Sequence, residues 1–183
     1  MSLTQYYTAT TLDGFIADPN HSLDWLFTRD QDHEGLLNYA EFIAGVGALA
    51  MGSSTYEWII RHEFADKDES EWKWPYDLPC WVFTSRPLQV VPEAQIEFVQ
   101  GDVSPVHAAM VEAAGGKNVW LVGGGDLVGQ FADAGLLDEV IVYIAPVTLG
   151  AGAPLLPRRV ELRLEETGRN RDFVAARYSV VRG

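Results

Sequence analysis

Three short stretches of this chain carry residue types suited to holding a phosphorylated ligand: Gly52-Ser53-Ser54-Thr55, Thr84-Ser85-Arg86 and Gly123-Gly124-Gly125. The third follows an uninterrupted apolar run, Val119-Trp120-Leu121-Val122, which reads as a buried strand. After it, Leu127, Val128, Phe131 and Ala134 share one face at helical spacing. A strand that stops at a glycine turn and opens a helix leaves backbone N–H groups unpaired at the positive end of the helix dipole, which suits a phosphate or pyrophosphate. Glycine lets such a ligand approach the backbone closely. The Gly52–Thr55 stretch adds hydroxyl donors at a second junction, and Arg86 offers a guanidinium that can pair bidentately with a terminal phosphate. The same residue types also build ordinary turns and helix caps.

The elements needed to position these loops are legible in the hydrophobic pattern. Residues 3–10 make a first, central strand, followed by an Asp13-Gly14 turn and an Asp18-Pro19-Asn20 turn. A helical stripe is expected over residues 32–44, with Asp30, Asp32 and Glu34 near its start. Strands are expected at 46–51, 81–83, 96–99, 119–122 and 140–144, with a helical turn at 56–60 and a mobile polar loop over 61–79. A helix opens with Ser104 as its cap and Pro105 in its first turn, and ends before Gly115. Residues 160–167 and 173–181 alternate as a closing antiparallel hairpin. Alternating strands and helices followed by a strand pair predict an α/β fold: a mostly parallel central sheet, helices on both faces and an antiparallel C-terminal edge.

Size and composition narrow the function. At 183 residues the chain fits a single domain, 1–183. A net charge of −13 argues against nucleic acid and anionic membranes as partners. No apolar run reaches membrane-spanning length, and the N-terminus lacks a signal-peptide layout, so a reducing cytoplasm is expected. Cys80 is the single cysteine and the four histidines lack ligand spacing, so no metal is expected. There is no Gly-x-Gly-x-x-Gly after the first strand and no Gly-x-x-x-x-Gly-Lys-Ser/Thr, which excludes the common dinucleotide and triphosphatase fingerprints.

Taken together, Val122-Gly123-Gly124-Gly125, Ala50-Met51-Gly52-Ser53-Ser54-Thr55-Tyr56 and Phe83-Thr84-Ser85-Arg86-Pro87 resemble the three cofactor loops of the dihydrofolate reductase-like superfamily. Thr11-Leu12-Asp13-Gly14-Phe15-Ile16-Ala17, and Gly135 to Val140 running into Ala145 to Gly152, are more similar to the riboflavin-biosynthesis reductase domain in its stand-alone bacterial form. The resemblance spans about residues 3–181 and implies an NADPH-dependent oxidoreductase, acting as a homodimer on a small heterocycle. It implies that Ala9 and Ile16 line the nicotinamide site, and that Gly52, Ser53, Ser54 and Thr55 hold pyrophosphate together with Val122, Gly123, Gly124, Gly125, Asp126 and Leu127. Thr84, Ser85 and Arg86 would surround the adenine ribose and its 2′-phosphate.

Asp126 departs from the pattern, since a carboxylate repels pyrophosphate; it is expected to turn away and cap the helix. On the substrate side, Asp32 is the candidate catalytic acid, although Asp30, Asp32 and Glu34 equally suit a surface helix start. Asp13, Trp25 and Tyr143 are candidate substrate-lining residues, with Trp72 and Trp74 as further aromatics able to stack or pack. No cluster of lysines or arginines stands ready for a phosphoribosyl group. The implied reaction is hydride transfer to a C=N or C=O carbon, as in 5-amino-6-(5-phosphoribosylamino)uracil reduction. Dihydrofolate reduction, and a catalytically silent nucleotide-binding protein of the same fold, are the alternatives.

Overall fold

The computed structural model describes residues 1–182; Gly183, the last residue of the expected span, lies outside the described residues. In chain order the strands are β1 (Thr4–Thr11), β2 (Phe15–Ala17), β3 (Val46–Gly52), β4 (Cys80–Phe83), β5 (Ile96–Val99), β6 (Asn118–Gly123), β7 (Glu139–Ala145), β8 (Ala153–Pro154), β9 (Leu162–Asn170) and β10 (Phe173–Val180). The helices are α1 (Asp24–Phe27), α2 (Tyr39–Ala44), α3 (Ser53–Phe64), α4 (Val103–Ala113) and α5 (Gly125–Asp133). Eight strands form one sheet in the order β5-β4-β3-β6-β1-β7-β10-β9, while β2 and β8 make a small second pair. Strands β5 through β7 run parallel, and β10 and β9 close the edge antiparallel.

The central strands are apolar throughout because both faces are covered. Tyr6, Ala50, Val119 and Leu121 pack against α4 and α5 on one side. Leu49, Met51 and Trp120 pack against Tyr56, Ile59 and Phe64 of α3 on the other. The period of two along each strand therefore sorts the two cores.

Three expectations are corrected. The helix expected over 32–44 is reduced to α2, capped by Asn38, whose side chain accepts from the Glu41 N–H. Residues 32–38 are held as turns instead, because buried Asn170 pairs with both backbone groups of Asp32, at 2.8 and 3.0 Å. Gly35 lies so close to that amide that a Cβ there would meet Asn170 Nδ2 at 2.5 Å. Second, α4 is capped by Asp102, not Ser104; the Asp102 carboxylate accepts the Ser104 N–H at 2.8 Å. Third, the stretch 61–79 is not all surface loop. Its start completes α3, Trp72 stacks on Phe64 with ring centres 4.8 Å apart, and Trp74 is buried against Tyr56.

Candidate active site

The register of the sheet brings the three loops to one level. Gly52 at the end of β3 stands beside Phe83 at the end of β4, and Met51 stands beside Gly123 at the end of β6. From β3 the chain moves outward to β4, whereas from β6 it crosses to β7 on the other side. The carboxyl ends of β3 and β6 thus flank a topological switch point, where open α/β sheets leave a crevice for ligands.

Both strands hand over directly to helices at this point. Gly52 is the N-cap of α3 and Gly124 the N-cap of α5, and among the described residues neither helix receives a side-chain cap. The chain does supply caps elsewhere, with Asn38 on α2 and Asp102 on α4. An uncapped start leaves first-turn N–H groups without partners and the positive end of the dipole uncovered. Both starts open on one cavity of 380 Å³, whose walls include Ile16, Ser54, Thr55 and the Gly123–Asp126 turn. A Cβ at Gly124 would meet nothing within 4 Å, so the cavity floor is bare backbone. Gly125 is required for another reason: a Cβ there would lie 2.6 Å from the Leu155 carbonyl oxygen and closer still to that of Pro154.

A second cavity, of 720 Å³, adjoins the first and shares Thr8, Leu23, Trp58, Tyr76 and Val122 with it. Its walls are mostly aromatic, including Tyr7, Phe27, Tyr39, Trp120, Tyr143 and Phe173, with Arg29, Asp30 and His33 at one side. Such a surface suits a flat ring. The Tyr143 hydroxyl donates to the Leu36 carbonyl and accepts from Asn170 Nδ2 at 3.2 Å. Burial raises the Tyr143 phenol above the usual range. The cavity therefore presents neutral aromatic walls, and Arg29 Nε is buried without a partner among the described residues.

Residues 4–171 match the RibD C-terminal domain family. The chain belongs to that family. It is 32% identical over 169 residues to the uncharacterized protein YwjB of Bacillus subtilis strain 168, covering 90% of each chain. Among solved structures it is similar to a putative riboflavin biosynthesis protein from Shewanella sp. PV-4, with a TM-score of 0.79, 24% identity, and coverage of 98% of this chain and 99% of that one. It is also similar in fold to dihydrofolate reductase from Enterococcus faecalis complexed with NADP(H), with a TM-score of 0.54, 13% identity, and coverage of 97% and 96%. The dihydrofolate reductase-like fold and the riboflavin-reductase type expected from the sequence are both met.

Within this RibD C-terminal domain, the residues singled out from the sequence separate into groups. Ile16, Ser54, Thr55, Val122, Gly123, Gly124, Gly125 and Asp126 line the first cavity, and Ala9 and Tyr143 line the second. Gly52 and Ser53 form the strand–helix junction behind the first cavity. Leu127 faces the core instead. Thr84 closes its own turn, its hydroxyl donating to the Arg86 carbonyl at 2.8 Å and accepting the Arg86 N–H at 3.2 Å, with Ser85 exposed at the tip.

Besides Leu127, four placements differ from expectation. Asp126 does not cap α5. Its carboxylate accepts from Arg158 at 2.9 Å and from Gln130 at 3.1 Å, and these two donors, Gln130 first, hold it below the usual carboxylate range. Asp32 is not on a helix; its carboxylate accepts the Glu34 N–H at 3.0 Å, and its neighbours Asp30, Gln31 and His33 are the ones that line the second cavity. Trp25 is buried beneath that cavity, against Tyr143 and Phe173, rather than on its wall. Asp13 lies outside both cavities and binds the Thr11 hydroxyl at 2.6 Å and the Gly150 N–H at 2.7 Å, tying the β1–β2 turn to the loop after β7.

The sequence reading missed Thr8, Trp58 and Tyr76, which form the seam between the cavities, and also Arg29, Glu57 and Arg158. Trp58 was findable, since it follows Thr55 by three residues on a helix and so shares its face. Tyr76 and Arg158 reach the site only through tertiary packing.

Proposed function

We propose that this chain is an NADPH-dependent reductase that passes hydride to a C=N or C=O carbon of a small, flat heterocycle of the riboflavin-pathway type. The observation carrying this reading is the pair of helix starts, α3 and α5, that face one cavity with no side-chain cap among the described residues, while α2 and α4 are capped by Asn38 and Asp102 and the one-turn α1 is likewise uncapped. Two backbone donor sets at a switch point fit a pyrophosphate. They also reconcile an anionic ligand with a net charge of −13, since the donors are peptide groups rather than side chains.

When bound, the dinucleotide supplies the hydride; the protein's part is orientation and shielding. Ser54, Thr55 and the 123–126 turn would hold the pyrophosphate, directing the nicotinamide toward Ile16 and the seam at Thr8 and Val122. The aromatic cavity beyond that seam would hold the acceptor ring against Tyr7, Trp58 and Trp120 and exclude water from it. Arg29 is the residue positioned to meet an anionic substituent on the acceptor. The NADP(H) in the Enterococcus faecalis relative supports this choice of cofactor.

Residues 1–183 would work as one unit, as a homodimer in the cytoplasm. Exposed Leu162, Leu164 and Val174 on the edge hairpin support self-association, and a lone thiol at Cys80 fits a reducing compartment.

The test is a fluorescence titration with NADPH, since Trp58 and Trp120 line the site. Saturable quenching in the micromolar range supports the reading, and loss of reduced-nicotinamide absorbance on adding a heterocyclic imine or carbonyl compound completes it. Binding without turnover across pterins, pyrimidines and imines would leave a silent nucleotide-binding protein. No binding at millimolar cofactor would sink the proposal.

A further inference from the structure

The loop expected to hold the 2′-phosphate is already engaged. Arg86 makes a bidentate pair with Glu57, at 2.8 and 2.5 Å, in a separate 240 Å³ cavity between α3 and residues 86–89. Glu57 lies one helical turn beyond Ser53 and on the same face of α3, outside the first cavity, and its partner Arg86 follows β4, whose last residue Phe83 stands beside Gly52 at the start of α3. The loop is held there independently: the Tyr56 hydroxyl donates to the Gln89 carbonyl at 2.5 Å, and the Thr84 turn closes on itself. Anchoring this loop therefore does not require Glu57. Arg86 keeps the carboxyl below its usual range, so Glu57 is charged at neutral pH.

A carboxylate in this place has two consequences for a dinucleotide. It neutralises the guanidinium that would attract a 2′-phosphate, and it repels that phosphate directly. A carboxylate near an adenine ribose also accepts a hydrogen bond from a free 2′-hydroxyl, the group that NADH carries and NADPH lacks. We infer that Glu57 is a specificity residue of the dinucleotide site, masking Arg86 so that this chain discriminates only weakly between NADPH and NADH. The inference rests on the dinucleotide reading above.

The experiment is a pair of titrations, NADPH and NADH, followed by tryptophan quenching and by calorimetry, on the wild type, Glu57→Gln, Arg86→Ala and the double variant. Thermal melts of each without cofactor accompany them. For the wild type, the two dissociation constants should lie within about tenfold of each other. Glu57→Gln should tighten NADPH by about tenfold, the scale of one exposed charge contact, and change NADH by less than about threefold. Adding Arg86→Ala should remove that gain, and this non-additivity separates masking from two independent effects.

If Glu57→Gln lowers the melting temperature and weakens both cofactors together, the pair is a structural clamp and the inference is wrong. If both cofactors bind but their ratio is unmoved, the inference alone falls. If neither binds to any of the four proteins, the dinucleotide reading falls and takes the inference with it.

Discussion

Replacing Gly125 by alanine pits two physical effects of known sign against each other. Gly125 is the first residue of α5 and its backbone is helical, so propensity alone favours alanine by up to about 1 kcal/mol. The new methyl, however, would sit 2.6 Å from the Leu155 carbonyl oxygen and 2.9 Å from its carbon, with the Pro154 oxygen nearer still. These are backbone atoms with little room to yield. The Leu155 N–H donates to the Gly14 carbonyl at 2.9 Å, and the Leu155 oxygen accepts from the buried Tyr6 hydroxyl at 2.9 Å. Overpacking of this kind costs about 1–3 kcal/mol, and here the upper end applies because relief would break one of those bonds. Net destabilisation should be about 2 kcal/mol, or a drop in Tm of about 4–8 °C at this chain length. Urea melts should show a lower midpoint with unchanged slope, as expected when stability alone is altered. Ala153 and Pro154 line the first cavity, so NADPH affinity should fall as well. A Gly125→Ala protein as stable as the wild type would refute the reasoning, since propensity would then have outweighed the clash.

Asp13→Asn tests the link between the β1–β2 turn and the loop after β7. The Thr11 hydroxyl first, then the Gly150 and Leu149 N–H groups, hold the Asp13 carboxyl below its usual range. A lowered folded-state pKa stabilises above the unfolded value and is lost as pH falls through the folded one. The variant should therefore be less stable than wild type at neutral pH, and the gap should close below the ordinary aspartate range in melts taken across pH. Arg158→Ala should leave Asp126 facing the glycine turn uncompensated and weaken NADPH about fivefold, while Asp126→Asn in the same background restores it; calorimetry at low and moderate salt checks both. Asp32→Asn should leave kcat within about twofold once a substrate is known, because the carboxylate serves a turn; a drop of a hundredfold would make Asp32 the proton donor after all.

What was legible in the sequence was whatever is decided locally. Apolar runs bounded by glycine and proline located β1, β3 to β7 and β10 to within a residue, while β9 ends three residues later than expected, and the three loops followed because strand ends carry them. A central first strand and an antiparallel C-terminal edge were legible, but the order of the other parallel strands was not, since it depends on which strands pair. The helix expected over 32–44 failed for a related reason: a proper helical stripe was overruled by Asn170, a residue 138 positions from Asp32 that claims its backbone groups. The ion pairs that set the electrostatics of the site escaped in the same way, with Arg158 lying 32 positions from Asp126 and Arg86 lying 29 from Glu57.

Those two pairs also bear on how so acidic a chain could present the proposed site for an anion. Arg158 and Arg86 are both spoken for, the first by Asp126 and Asp133, the second by Glu57. Neither is a free cation waiting for phosphate. What remains is the backbone at the starts of α3 and α5, where no side chain among the described residues supplies a cap. The carboxylates near these starts are themselves engaged, Asp126 in the first turn of α5 by Arg158 and Gln130 and Glu57 by Arg86, which weakens their hold on the positive ends of the helix dipoles. The division of labour follows. On the proposed reading, affinity for a pyrophosphate would come from the fold itself, while the choice between cofactors would be left to one exposed pair, Arg86 and Glu57, whose two charges substitution can separate without touching the sheet.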